Sequence, residues 1–113
     1  MENTSIVTAL SAIAQESRLT IFRILVQAGP AGMAAGKIST ASGIAPSSLS
    51  FHLKELAHAQ MVIAKQEGRF VYYSANFATM NTVIAYLTEN CCGGNPCSPV
   101  SVCDTGCERE ATQ

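Results

Sequence analysis

Cysteine is missing from the first 90 residues of this 113-residue chain. Whatever its thiols do, they do outside the body of the fold. Charged residues are scarce as well, at 13%, against 48% hydrophobic residues and a mean hydropathy of +0.22, which excludes disorder through that body. No uncharged apolar run reaches the roughly 18 residues that a bilayer-crossing helix needs, so a soluble protein with no membrane partner is expected. The basic start, apolar centre and small-residue cleavage site of a secretory signal are also missing from Met1 to Ala14, where Glu2, Asn3, Thr4 and Ser5 stand instead. This points to the cytoplasm. The length allows one modest core and not two.

What is present is unevenly placed. Between Arg18 and Arg69 lie six cations, Arg18, Arg23, Lys37, Lys54, Lys65 and Arg69, against Glu55 and Glu67, so the middle carries +4. From Glu89 onward one arginine faces four acids, and the tail carries −3. A basic middle suits a phosphate-facing surface, although solvated charges of no special role give the same pattern. All five cysteines, Cys91, Cys92, Cys97, Cys103 and Cys107, crowd into the acidic tail. In a reducing compartment such clusters bind metals or work in redox chemistry more often than they staple a fold.

The hydrophobic periodicity gives the order of elements. Ile6, Ala9, Leu10 and Ile13 recur at helical spacing, and Leu19, Phe22, Leu25 and Val26 do so again, until Gly29-Pro30 ends the second helix. After a loop, a short helix from about Lys37 to Ser42 meets Gly43, and a longer one starts near Pro46. Ile38, Ala41, Ile44, Leu49, Leu53 and Leu56 would hold those two together, leaving Ser47, Ser48, Phe51 and Lys54 to face elsewhere. The period then changes to two around Gln66-Glu67-Gly68-Arg69, which predicts a β-hairpin with Lys65 and Arg69 at its tip. Asn76 caps a final helix with an apolar stripe of Phe77, Met80, Ile84 and Leu87, which needs a partner in its own domain or in a second chain. Past Asn90, glycine, proline and serine end regular structure.

Helix, helix, helix-turn-helix, hairpin, helix is the order of a winged helix-turn-helix. The stretch GIAPSSLSFHLKELAHAQMVIAKQEGRFVYYSA, Gly43 to Ala75, resembles the turn, recognition helix and wing of the ArsR/SmtB family of bacterial metal-responsive repressors, and the resemblance covers nearly the whole chain. It implies a mainly α fold with a small β-hairpin and a homodimer paired through its first and last helices. It also implies double-stranded operator DNA as partner, release by an inducer, and no enzyme activity. Residues 1–90 would form the DNA-binding and dimerisation domain, and 91–113 a flexible cysteine-rich tail carrying the inducer site.

A recognition helix puts its early residues at base edges, which nominates Ser47, Ser48, Ser50, Phe51, His52 and Lys54, with Lys65 and Arg69 for phosphates. Plainer roles exist for each: Ser47 as a helix cap, Phe51 as packing, His52 as a surface filler, the two wing cations as solubilising charges.

The inducer positions depart from two arrangements of the family. The arsenic sensors with a Cys-x-Cys pair before the turn would place it near Lys37-Ile38-Ser39, and the zinc sensors carry Asp and His ligands on the last helix, whereas this chain has no histidine after His58. A third arrangement, a Cys-Cys pair at the end of the last helix joined by a cysteine just beyond, is matched by Cys91, Cys92 and Cys97, with Cys103 as the alternative third ligand. Trivalent arsenic, As(III) as arsenite, and Sb(III) are thiophilic and complete their shell with three sulfurs, and soft ligands select soft ions. No organic cofactor is implied. A four-thiolate zinc or cadmium site and a thiol redox switch on the same body stay open. Catalysis does not fit, because no histidine stands near the thiols to act as a base, His52 and His58 both belonging to the basic helix.

Overall fold

In the computed structural model, which describes residues 2–94, five α-helices and three short strands form a single layered unit. Helix α1, Asn3–Ile13, is followed by α2, Glu16–Ala28, whose start is capped by Gln15: its side-chain oxygen accepts from the Arg18 amide at 2.9 Å. Strand β1, Met33–Ala34, runs straight into α3, Ala35–Ser42, so the loop expected there is shorter than the sequence suggests and α3 begins earlier. Gly43, in the left-handed region, leads to α4, Pro46–His58. Strands β2, Val62–Glu67, and β3, Phe70–Ala75, form the hairpin, and α5, Phe77–Leu87, closes the order.

The sheet has three antiparallel strands in the order β1-β3-β2, with Ala34 opposite Tyr72 and Val62 opposite Ala75. Two glycines make it possible. Gly68, at φ +64°, is the first of the two turn residues between β2 and β3, a position that favours glycine in a hairpin turn. Gly32, at φ +78°, brings β1 onto β3 so closely that a Cβ there would meet the carbonyl of Tyr73. Pairing of so short a strand left no alternation to read, which is why the sequence predicts two strands and not three.

The core is built from one stripe of each helix. Ile6, Ala9 and Ala12 of α1, Ile21, Phe22 and Leu25 of α2, Ile38 of α3, and Leu49, Leu53 and Leu56 of α4 are buried, joined by Met61, Val62, Ala75 and Val83. Four expected apolar positions, on three helices, differ. Leu19 is exposed and Ile21 takes its place, because the buried stripe of α2 is centred further round the helix. Ala41 is exposed, since α3 is only two turns long and turns Ile38 alone fully inward. On α5 the buried residue is Val83, with Phe77 and Met80 partly covered, while Ile84 and Leu87 stand in solvent. The apolar stripe of α5 is thus wider than its own protomer covers.

Candidate nucleic-acid interface and thiol turn

Helix α4 presents its outer face because its inner face is fully used. Leu49, Leu53 and Leu56 are buried at i, i+4 and i+7, which turns Ser47, Ser48, Ser50, Phe51 and Lys54 outward, and all five are exposed. Ala45 is the N-cap and makes no side-chain capping bond, and Pro46 takes the first helical position, so Ser47 sits inside the helix and is not its cap. Its hydroxyl is left for another acceptor. Phe51, 56% exposed, meets the ring of His52 edge-on at 5.7 Å. His52 is half-buried, and its Nδ1 is buried with no hydrogen-bond partner among the described residues. It stands beside the outward face rather than on it.

The turn ahead of α4 is locked by two serines absent from the candidate residues that the sequence nominates. Ser39 Oγ donates to the carbonyl of Ile44 at 2.7 Å, and the Ile44 amide donates to Ser42 Oγ at 3.2 Å. Together they fix the angle at which α4 leaves α3. The sequence signal was present in the Ser-Thr-Ala-Ser-Gly run before the turn.

At the wing, Arg69 is the second turn residue and exposed, whereas Lys65 lies on β2 opposite Tyr72, two residues short of the turn. Lys65 Nζ is 3.4 Å from Glu67 Oε2, and both side chains are well exposed, at 74% and 58%. Such a surface pair contributes little, and a phosphate can compete for the ammonium. Arg69 has no ion-pair partner among the described residues. Its charge is the more available of the two. Replacing Arg69 with alanine should therefore weaken DNA binding about equally for all sequences and reduce the salt slope by roughly one counterion, with a smaller change for Lys65→Ala. Unchanged salt slopes in both variants would take the wing out of the interface.

The thiol turn begins four residues after α5 ends. Thr88 caps the helix, the Cys91 amide donates to the Thr88 carbonyl at 3.0 Å, and Cys91–Gly94 makes one 3-10 turn. Asn90, Cys92 and Gly93 all have positive φ, at 58°, 55° and 68°, and this coil brings Cys91 Sγ within 3.7 Å of Cys92 Sγ. Two sulfurs bonded to one ion at about 2.3 Å, with an angle between roughly 90° and 110°, stand about 3.3–3.8 Å apart. The 3.7 Å separation falls in that range, and Cys92, disulfide-bonded in this structure, would serve as a ligand only once reduced to the thiolate. Cys97, Cys103 and Cys107 lie outside the described residues, and within the described ones no group of three histidine, cysteine or acidic side chains is assembled.

Comparison with known proteins fits the α2-to-β2 geometry. A family model described as a helix-turn-helix domain matches residues 13–63. A solved ArsR-like transcriptional regulator from Rhodococcus sp. RHA1 is similar over 74% of this chain and 76% of its own, at 24% identity and a TM-score of 0.66. The chain carries a helix-turn-helix domain and has the winged helix-turn-helix fold of these regulators. Another ArsR-type neighbour is the winged helix-turn-helix DNA-binding domain Mb0332 from Mycobacterium bovis, called homodimeric and a possible ArsR-family regulator. It is similar over 81% of this chain and 85% of its own, at 24% identity and a TM-score of 0.61. Reduced HlyU from Vibrio cholerae N16961 is similar over 79% and 90%, at 26% identity and a TM-score of 0.60. No curated protein matches the chain. Among the described residues, no helix is long and apolar enough to cross a membrane.

Proposed function

We propose that this chain is an ArsR-family regulator and a metalloid-responsive repressor. It binds operator DNA as a homodimer in the cytoplasm and leaves it when trivalent arsenic, or antimony, is held by Cys91, Cys92 and Cys97. The observation that carries the reading is the 3.7 Å approach of the Cys91 and Cys92 sulfurs on a left-handed turn just beyond α5. Adjacent residues in a helix would point about 100° apart, so this coil is what allows one ion to take both. Operator contact falls to Ser47, Ser48, Ser50, Phe51 and Lys54, with His52 at the margin and Lys65 and Arg69 on the wing, and dimerisation falls to α1 and α5.

Operator-binding anisotropy, titrated with arsenite, antimonite and zinc in excess reductant, tests this. Release by the trivalent ions and not by zinc is expected. Release by zinc alone would replace the three-thiolate site with a tetrahedral one. A second reading, a thiol redox switch on the same body, is favoured by the disulfide that Cys92 carries, and reduced HlyU is among the structural neighbours. Release by peroxide under argon, with none by arsenite, would select it.

A further inference from the structure

Helix α5 is held to its own protomer by little. It buries Val83 alone, with Phe77 and Met80 partly covered near its start, and its last turn carries Tyr86 and Leu87 in solvent. One polar bond fixes that last turn: Tyr86 Oη donates to Asn3 Oδ1 at 2.7 Å. Among the described residues this is the only hydrogen bond between two side chains that joins separate elements. Asn3 is the first residue of α1.

Both ends of this bond are connected to parts with a role in the proposed switch. On one side the Glu89 amide donates to the Tyr86 carbonyl at 3.3 Å, and the Cys91 amide donates to the Thr88 carbonyl at 3.0 Å, so the thiol turn is wound directly onto the last turn of α5. On the other side α1 packs against α4, with Ile6, Ala9 and Ala12 in the same core as Leu49, Leu53 and Leu56. A rigid helix moved at its first residue carries that movement to the face it packs, because close-packed interiors transmit strain.

We propose that Tyr86 is a positioning residue: its hydrogen bond to Asn3 couples the thiol turn to α1 and, through α1, to the recognition helix. This rests on the three-thiolate reading above for the identity of the effector, but not for the existence of the link. An ion closing on Cys91 and Cys92 tightens the turn, displaces the end of α5, and pulls or releases Asn3. Without the bond, the end of α5 moves alone.

The test uses the full-length chain with Tyr86→Phe, Asn3→Leu and Asn3→Asp, the last keeping an acceptor for the hydroxyl. Arsenite binding is read by thiolate-to-arsenic ultraviolet absorbance and operator binding by anisotropy, with and without arsenite. Tyr86→Phe and Asn3→Leu should bind arsenite and operator as the parent does, yet show a release factor lower by roughly three- to tenfold, the range of one net hydrogen bond. Asn3→Asp should restore it. Rescue by the acceptor-keeping variant is something a merely structural role for Asn3 would not require. In parallel, hydrogen exchange without any effector should be faster for the last-turn amides of α5 in Tyr86→Phe and unchanged in α2 to α4. Parent-like exchange in α5, or an undiminished release factor, overturns the link. If the parent chain itself ignores arsenite, the three-thiolate reading fails, and the exchange comparison decides the link alone.

Discussion

Cys92→Ser should bind operator as tightly as the parent chain and stay bound when arsenite is added. The first half follows from placement: Cys92 lies past the end of α5, on a turn outside the core and apart from α4 and the wing, so its loss leaves the DNA-facing surface intact. The second half follows from ligand count. Trivalent arsenic completed by three sulfurs loses a bond when one is removed, and the two that remain hold it with far less chelation. Linkage gives the size of the effect. An effector that releases DNA shifts the DNA affinity by a coupling typically worth about 5- to 150-fold, and DNA weakens the effector by the same factor. That entire factor should vanish in Cys92→Ser, and equally in Cys91→Ser and Cys97→Ser, while Cys107→Ser keeps it. Cys103→Ser decides the third ligand: loss of response there with retention in Cys97→Ser would move the site to Cys103. A chain cut after Asn90 that arsenite still releases would dispose of the tail site altogether.

The DNA-binding body was legible in the sequence because its signals are local. Gly43 before Pro46, the i, i+4, i+7 spacing of Leu49, Leu53 and Leu56, and a glycine between two short alternating runs each define one element without reference to any other. Strand β1 was not legible, since two residues carry no period and its pairing depends on the missing side chain of Gly32 meeting Tyr73. The Ser39 and Ser42 bonds to Ile44 were hidden for a related reason: they are made only once the turn has closed. The Tyr86–Asn3 bond spans almost the whole sequence, and no local pattern announces it. At the thiol turn the residue types were plain and the conformation was not. Positive φ at a cysteine is uncommon, and it is this, at Cys92, that helps bring two neighbouring sulfurs together. The burial of α5 shows the opposite limit. Phe77, Met80, Ile84 and Leu87 form one stripe in the sequence, and in the fold the stripe divides into a half covered within the protomer and a half facing out.

That outward half sets the last expectation: Ile84→Glu with Leu87→Glu should give a folded monomer that binds operator at least about 100-fold more weakly. Leu87 is 60% exposed and Ile84 39%, and Val7 on α1 is 54% exposed, so three large aliphatic side chains remain in water on the two helices that flank the chain's ends. Single exposed leucines are ordinary, but large apolar residues gathered on two helices are the mark of an interaction surface. A two-fold pair is self-complementary, each copy offering the same patch. Carboxylates at its centre would be desolvated and face their own symmetry mates, which disfavours the pair strongly. Within the protomer these positions touch little, so helical content by circular dichroism should stay near that of the parent. The large loss of affinity has a geometric origin. Two recognition helices fixed at the half-site spacing bind with an effective-concentration advantage on the order of 10²–10⁴, and a monomer forfeits it. Sedimentation and anisotropy on the same samples separate the two steps. A double variant that still sediments as a dimer and keeps its operator affinity would place the interface away from α5, and the thiol turn would then have to act on α4 within a single protomer.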